Sequence, residues 1–184
     1  MTSLAGQLLV AMPSMQDPRF DRSVILMCAH NEEGAMGLVL NKLIDELSLP
    51  ELMRQLKIAD GGFSGRTEVH FGGPVEVGRG FVLHSPDYLE AGTMVIGDDY
   101  ALTATLDVLR AIGRGEGPTR GFLALGYSGW GPGQLDAEIQ ANGWLTVAPD
   151  QEIVFGPGLA DKWQRALAKL GVHPLTLSAE AGHA

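Results

Sequence analysis

Gly121–Val147 reads GFLALGYSGWGPGQLDAEIQANGWLTV. An apolar run ends among glycines and aromatic residues, an amphipathic segment follows, and Trp144 opens a second apolar run. That succession predicts strand, tight turn, helix, strand, with the turn at Gly126-Tyr127-Ser128-Gly129-Trp130. A glycine-rich turn between a strand and a helix N-terminus can bring backbone N–H groups against a ligand. This is therefore the first place to look for a site.

Outward from there, the N-terminal half is rich in strands. Leu4–Ala11 and Ser23–Ala29 read as buried strands, and Met12–Arg22 between them, with two prolines, is a loop. His30–Gly34 is a five-residue connection leading into a third strand, Ala35–Asn41, so the pair is expected to form a hairpin. Ser48-Leu49-Pro50-Glu51 has the form of a capping box, and Leu49, Leu52, Met53 and Leu56 share one face of a helix ending near Ile58. Asp60–Arg66 is a glycine-rich loop. Glu68–Phe71, Gly80–Ser85 and Thr93–Ile96 read as strands.

Asp98 or Asp99 is the expected cap of the next helix, whose inward stripe is Leu102, Leu106, Leu109 and Ile112 and whose end is marked by Gly113, Gly115 and Gly117. Beyond Val147, Ile153–Phe155 is expected as a last strand. Leu159, Trp163, Ala166, Leu167 and Leu170 form a final amphipathic helix stopped by Gly171. Residues 1–172 form one expected domain and 173–184 a patternless tail. The initial hairpin argues against a purely parallel α/β sheet. An α+β fold with a mixed sheet and helices outside it is the expectation.

The composition limits the functional classes. Hydrophobic residues at 45% against 19% charged describe a globular chain, and no run approaches the ~18–20 apolar residues of a membrane helix. The N-terminus lacks a basic n-region, which predicts no signal peptide and a cytoplasmic location. One cysteine, Cys28, forms no intrachain disulfide and no multi-cysteine zinc pattern, and is expected as a buried small hydrophobe. A formal net charge of −9 with no lysine–arginine cluster argues against direct DNA binding.

The candidate chemistry is sparse. Gly126–Trp130 follows a strand as a nucleophile elbow does, but Trp130 stands where that pattern requires glycine. The glycines read instead as backbone devices that permit positive φ. Tyr127, Trp130 and Trp144 are core or rim aromatics, or a stacking platform for a base. His30, His70 and His84 match no zinc spacing, so no metal or cofactor is expected; His30 and His84 both end strands and could converge, either as residues that bond loop carbonyls, which is the expectation, or in a shared metal or general-base role. Around Asp17, Arg19, Arg22 and Ser23, either an Asp–Arg pair locks a loop or Arg22 captures an anion. Arg79, between two glycines, carries the same two readings. Asn41 is expected as a turn-former. Gln134, Glu138 and Asn142, at i, i+4 and i+8, line one helix face that is either solvated or the wall of a site.

Blocks in order along nearly the whole chain resemble one bacterial family. They are Gly6-Gln7-Leu8-Leu9-Val10-Ala11-Met12-Pro13 with Met15, Asp17-Pro18, Phe20 and Arg22-Ser23-Val24; His30 with Gly34–Asn41; Gly72-Gly73-Pro74-Val75 and Arg79–His84; and Gly126–Trp130 with Gly133-Gln134-Leu135, Glu138, Asn142 and Trp144-Leu145. Together they are similar to the YqgE/AlgH family of uncharacterised bacterial proteins. The resemblance implies an α+β fold with a mixed, largely antiparallel sheet curled into a barrel-like shape and peripheral helices. It also carries the label of transcriptional regulator, although the family has no recognised DNA-binding module. Relatives often have alanine at the position of Ser128, which counts against a nucleophile there.

Two functions follow as expectations. One is a non-enzymatic regulatory protein acting through a protein partner or small anionic ligand. The other is an enzyme, hydrolase or transferase, on a small anionic or nucleotide-like substrate, with a site built from Arg22, His30, Arg79, His84, Tyr127, Trp130 and Gln134. Convergence of those residues in a pocket would favour the enzyme; an exposed apolar patch would favour the partner protein.

Overall fold

The deciding stretch folds as strand, turn, helix, strand, but its turn lies further along than expected. The computed structural model describes residues 2–59 and 68–171. Its elements are β1 (Leu8–Ala11), β2 (Val24–Asn31), β3 (Gly34–Val39), β4 (Leu43–Ser48), α1 (Leu49–Gln55), β5 (Glu68–Phe71), β6 (Val75–His84), β7 (Met94–Ile96), β8 (Tyr100–Thr103), α2 (Leu106–Gly113), β9 (Gly121–Trp130), α3 (Gln134–Gln140), β10 (Trp144–Val147), α4 (Gln151–Phe155) and α5 (Lys162–Ala168), with a 3₁₀ turn at Leu159–Asp161 before the last. The fold is α+β, a curled, largely antiparallel sheet with helices at its periphery.

The chain divides into two compact units, Met1–Lys42 with Ser128–Ala184, and Leu43–Tyr127. In the first, the strand order is β10-β1-β2-β3 followed by the last three residues of β9, all antiparallel. Its core gathers Leu9, Ala11, Ile25, Met27, Val39, Trp130, Leu135 and Trp144. In the second, β5 pairs in parallel with β9 and antiparallel with β4, while β6, β8 and β7 follow on the other side of β9. Its core gathers Leu49, Met53, Ile58, Val69, Val82, Val108, Leu109 and Leu123.

Local sequence accounts for most boundaries. The Ser48 hydroxyl accepts from the Glu51 N–H, and Pro50 sits in the first turn of α1, where its missing N–H costs nothing. The helix ends before Ile58: Lys57 turns to φ +59°, and the N–H groups of Lys57 and Ile58 bond back to Arg54 and Met53. That paired closure satisfies carbonyls the helix would leave open. It buries Ile58 and leaves Leu56 exposed, contrary to the shared face expected for Leu56.

Several expectations are corrected. The β2–β3 connection is the two-residue turn Glu32-Glu33, because Asn31 already pairs with Gly34. The register shifts between Met27 and Ala29, so Cys28 is bulged and the side-chain phase of β2 inverts beyond it. His30 consequently shares a face with its partner Ala35, which packs on the first core. Gly126–Trp130 is strand rather than turn, and the turn is formed by Gly131, Pro132 and Gly133.

Asp98 and Asp99 lie in the turn joining β7 to β8, and Leu102 is a strand residue; the N-cap of α2 is Thr105. The run Tyr100–Thr103 is apolar and fully covered, so it is drawn into the sheet before any helix starts. Ile153–Phe155 is helical because the Asp150 carboxylate accepts from the Ile153 N–H and starts a turn there. β4 lies where no element was expected, and β6 begins five residues earlier than expected, at Val75. The glycine-rich loop at 60–66 and the tail at 173–184 fall outside the described residues.

Candidate functional site

In the first unit the organising group is Glu138 on α3. Its Oε1 accepts from the Trp130 Nε1–H at 3.1 Å and from the Trp144 Nε1–H at 2.9 Å, and its Oε2 accepts from the Gln134 side-chain amide at 2.7 Å. The Gln134 carbonyl in turn accepts from the Gly131 N–H, tying the turn to the helix. Trp130 and Trp144 meet edge to face at 6.0 Å, and Phe20 lies 6.5 Å from one and 5.7 Å from the other. Such geometry suits the ring quadrupoles. The helix spacing delivers Gln134 and Glu138 to one face, while Asn142, at φ +62°, closes α3 with its N–H on the Ile139 carbonyl. Asn142 is therefore a cap. The two tryptophans are core residues, 7% and 2% exposed, whose indole faces are covered.

Around this core, His30 accepts from the Leu4 N–H through Nδ1, and its Nε2 lies 3.9 Å from the Asp136 carboxylate. The loop before β2 is locked by Asp17, which takes the Arg19 guanidinium at 2.7 Å and the Arg19 N–H at 2.9 Å. Those hydrogen bonds hold the Asp17 carboxyl below its usual range. Arg22 has φ +56° and lies 5.5 Å over the Trp163 ring, whose Nε1–H donates to the Ala11 carbonyl. Asn41 receives the Val24 N–H and donates to the Arg22 carbonyl, so it pins the start of β2 across the sheet.

In the second unit the polar groups form a thread around His84. His84 Nδ1 lies 2.7 Å from the Ser85 carbonyl, which only accepts, so Nδ1 carries the proton. Burial pushes the His84 pKa down, which keeps the ring neutral. Nε2 must then accept from the Thr103 hydroxyl at 2.7 Å, and Thr103 must accept from the Thr93 hydroxyl at 2.8 Å. Thr93 in turn accepts from the Glu90 N–H. Every hydroxyl in the thread has its direction fixed by the neutral imidazole.

Beside the thread, Glu90 accepts from the Tyr88 and Thr105 hydroxyls. Burial, then the Glu90 bond, pushes the Tyr88 phenol up to about 12. Asp87 accepts from the hydroxyls of Ser85 and Thr119, and those bonds hold its carboxyl low. Arg79 pairs with Glu76 at 3.6 Å and lies 5.0 Å over Phe81, against which Tyr127 packs edge to face.

The seven residues expected to line one site thus fall into small groups. Trp130 and Gln134 meet through Glu138; Arg79 and Tyr127 meet through Phe81; His30, Arg22 and His84 each have their own local partners. Ser128 is wholly buried in β9 and pairs with Gly37, so it is a strand residue and not part of a turn. Cys28 is buried, with its thiol pushed up to about 12 by burial. Among the described residues no three His, Cys, Asp or Glu side chains gather to hold a metal, and no helix is long and apolar enough to cross a membrane.

Sequence reading missed the polar set Ser85, Asp87, Tyr88, Glu90, Thr93 and Thr103. Its signal was present in Ser85-Pro86-Asp87-Tyr88, a turn-forming run rich in hydroxyls immediately after a strand histidine. It also missed an apolar surface. Leu89, Met94, Val95 and Leu106 are four of the eight large hydrophobic side chains exposed among the described residues, all within the stretch 89–106.

Comparison with known proteins places the chain in one family. The AlgH-like family model (DUF179) matches residues 8–175, and the chain belongs to that family. A UPF0301 protein of Cereibacter sphaeroides is 53% identical, over 98% of this chain and 99% of its own length. One from Rhodospirillum rubrum is 54% identical, over 98% and 94%. The solution structure of the AlgH protein from Pseudomonas aeruginosa superposes with a TM-score of 0.81 at 41% identity, covering all of this chain and 97% of that one. A crystal structure of a Corynebacterium diphtheriae protein shares the fold at a TM-score of 0.72 and 22% identity, over 88% of this chain and 84% of that one.

Proposed function

We propose that this protein is a non-enzymatic cytoplasmic regulator that acts by binding a protein partner. The observation that carries the reading is the set of exposed apolar side chains between residues 89 and 106 of the second unit: Leu89 is 62% and Val95 55% exposed, and Met94 and Leu106 are exposed as well. Exposed hydrophobics scattered singly are ordinary, whereas large apolar patches mark interaction surfaces, and a concentration of four in one short stretch supports the partner reading here. The polar groups support the same reading. His84 uses both ring nitrogens, and Gln134 and Glu138 hold tryptophans and a turn, so these side chains serve the fold.

Two experiments together test it. A thermal-shift screen against nucleotides, phosphorylated metabolites and divalent metals should shift the midpoint by less than about 1 °C, where a ligand at a hundredfold excess over Kd would give roughly 5–10 °C. A pull-down from bacterial cytoplasm should capture a protein with the wild type and at least tenfold less with Leu89→Asp/Leu106→Asp. A large small-molecule shift, with capture unaffected by the double variant, would replace this reading by the small-ligand one.

A further inference from the structure

Within that apolar surface the backbone itself is unfinished. β7 pairs on one side with β8, through Met94 with Leu102, Val95 with Ala101 and Ile96 with Tyr100. It stands last in the strand order, and among the described residues no other strand lies beside it. In an antiparallel pair alternate residues turn both N–H and C=O away from the partner strand. β7 therefore offers hydrogen-bonding groups outward, with the side chains of Met94 and Val95 exposed beside them. Such an edge is a template for an added strand.

The charge around this edge selects its occupant. From Gly80 to Leu109 there are five carboxylates, Asp87, Glu90, Asp98, Asp99 and Asp107, and no lysine or arginine. Glu90 is held by hydroxyls, Asp87 by hydroxyls and a backbone N–H, and Asp107 by Arg110. Asp98 and Asp99 are exposed, sit in the turn that immediately follows Ile96, and have no Lys or Arg partner among the described residues. A strand running antiparallel to β7 would carry its first residues past these two carboxylates. A second copy of this chain would bring its own acidic turn to the same edge, and the net charge of −9 opposes that approach.

We propose that β7 docks, by strand addition, an extended segment of a basic partner in which lysine or arginine alternates with apolar residues. Backbone hydrogen bonds supply the affinity, Val95 receives the apolar side chains on its face of the sheet, the stems of the alternating basic residues lie along the Met94 face, and Asp98 and Asp99 receive the cations. The inference rests on the protein-partner reading above and specifies its partner's chemistry.

The probe is a fluorescein-labelled octapeptide, (Lys-Val)4, with (Glu-Val)4 as its charge-reversed control. At low salt the first should bind saturably by anisotropy and the second at least tenfold more weakly. Binding of the first should weaken as salt rises, and amide exchange should slow within Met94–Ile96. Val95→Lys should weaken (Lys-Val)4 by tenfold or more. Asp98→Asn/Asp99→Asn, at two exposed turn positions, should weaken it severalfold without altering the melting midpoint.

Equal binding of both peptides, indifference to both variants, or protection confined to other strands would overturn the proposal. So would a concentration-dependent dimer that Val95→Lys abolishes, which would make a second copy the occupant. A pull-down separates the two readings. If wild type and Val95→Lys capture the same protein equally, the edge is not the site although a partner exists. If wild type captures nothing and (Lys-Val)4 does not bind, both readings fail.

Discussion

In the first unit a single carboxylate closes an aromatic core, gathering two indole N–H groups on one oxygen. In the second unit a thread of hydroxyls runs inward from Glu90 to His84, while leucine, methionine and valine are left in water outside it. Both units pair the polar groups of these clusters. They differ in what they leave over. The first covers its tryptophans. The second leaves apolar side chains about half uncovered, each giving up roughly half of the ~1.5–3 kcal/mol that full burial brings. The contrast is in what each fold leaves unused: the tryptophans that look like a binding platform are packing, and the strand edge of the proposed site is unpaired among the described residues.

If the second unit is a rigid frame for that edge, its tightest backbone contact at a positive-φ glycine should be a sensitive point. Gly126 has φ +76°, and a Cβ there would lie 2.3 Å from the Gly73 carbonyl oxygen. It sits at the register break between β9 and β6. Gly126→Ala combines positive-φ strain with a backbone clash and should cost about 4 kcal/mol in urea unfolding. Gly78→Ala, where nothing lies within 4 Å, should change stability by less than ~0.5 kcal/mol. Similar effects at the two positions would show that β9 bends freely here.

The first unit is broken at Glu138. Glu138→Ala strands two indole donors and the Gln134 amide, and should cost about 3 kcal/mol, read by denaturant unfolding. Glu138→Gln keeps an acceptor oxygen and should cost about 1 kcal/mol. If the two variants were equally damaging, charge rather than hydrogen-bond acceptance would be the property that matters.

The thread in the second unit is tested through Thr103 and through pH. Thr103→Val preserves shape but leaves His84 Nε2 and the Thr93 hydroxyl without this partner, at about 2 kcal/mol. Burial lowers the folded-state pKa of His84, so the unfolded chain binds its proton more readily. Stability from this group is complete above the unfolded value of about 6.5 and is lost as pH falls from there toward the folded value. Asp87, held low by the Ser85 and Thr119 hydroxyls, acts in a separate window: its contribution is present above about 3.9 and is lost as pH falls through the folded value. The urea midpoint should therefore drop between pH 7 and pH 5, and the drop should shrink in His84→Asn. An unchanged drop would mean that His84 titrates as it does in the unfolded chain.

What the sequence made legible follows the range of the interactions involved. Ser48 and Pro50 announced α1, and Gly113 and Gly171 announced helix ends, because those signals act within one turn of chain. The Asp17–Arg19 lock and the buried Cys28 were readable for the same reason. Tyr100–Thr103 misled because a covered strand and an inward helical stripe both read as apolar, and pairing with β6 and β7 decides between them. Ile153–Phe155 misled because β-branched residues suggest strand, yet Asp150 caps a helix there. The site was harder still. Glu138 was seen only as part of a polar stripe, since its worth depends on Trp130 and Trp144 arriving from two different strands. The edge of β7 has no sequence signature, because being last in a sheet is a property of topology.

The smallest expected effect tests whether the first unit is as complete as this comparison makes it. Ser23 is fully buried, and its hydroxyl has no hydrogen-bond partner among the described residues. It stands beside Arg22, whose guanidinium lies over Trp163, at the start of β2. A buried hydroxyl without a partner costs stability, so Ser23→Ala should be neutral or stabilising by up to about 1 kcal/mol, the loss of a few packing contacts offsetting part of the gain. Ser23→Val would overfill the same space and should be destabilising by ~1–3 kcal/mol. A clear loss of stability in Ser23→Ala would mean that the hydroxyl has work in solution, with a bound water or an anion beside Arg22. The first unit would then hold a site as well as a core, and the division of labour between the two units would have to be redrawn from Arg22 outward.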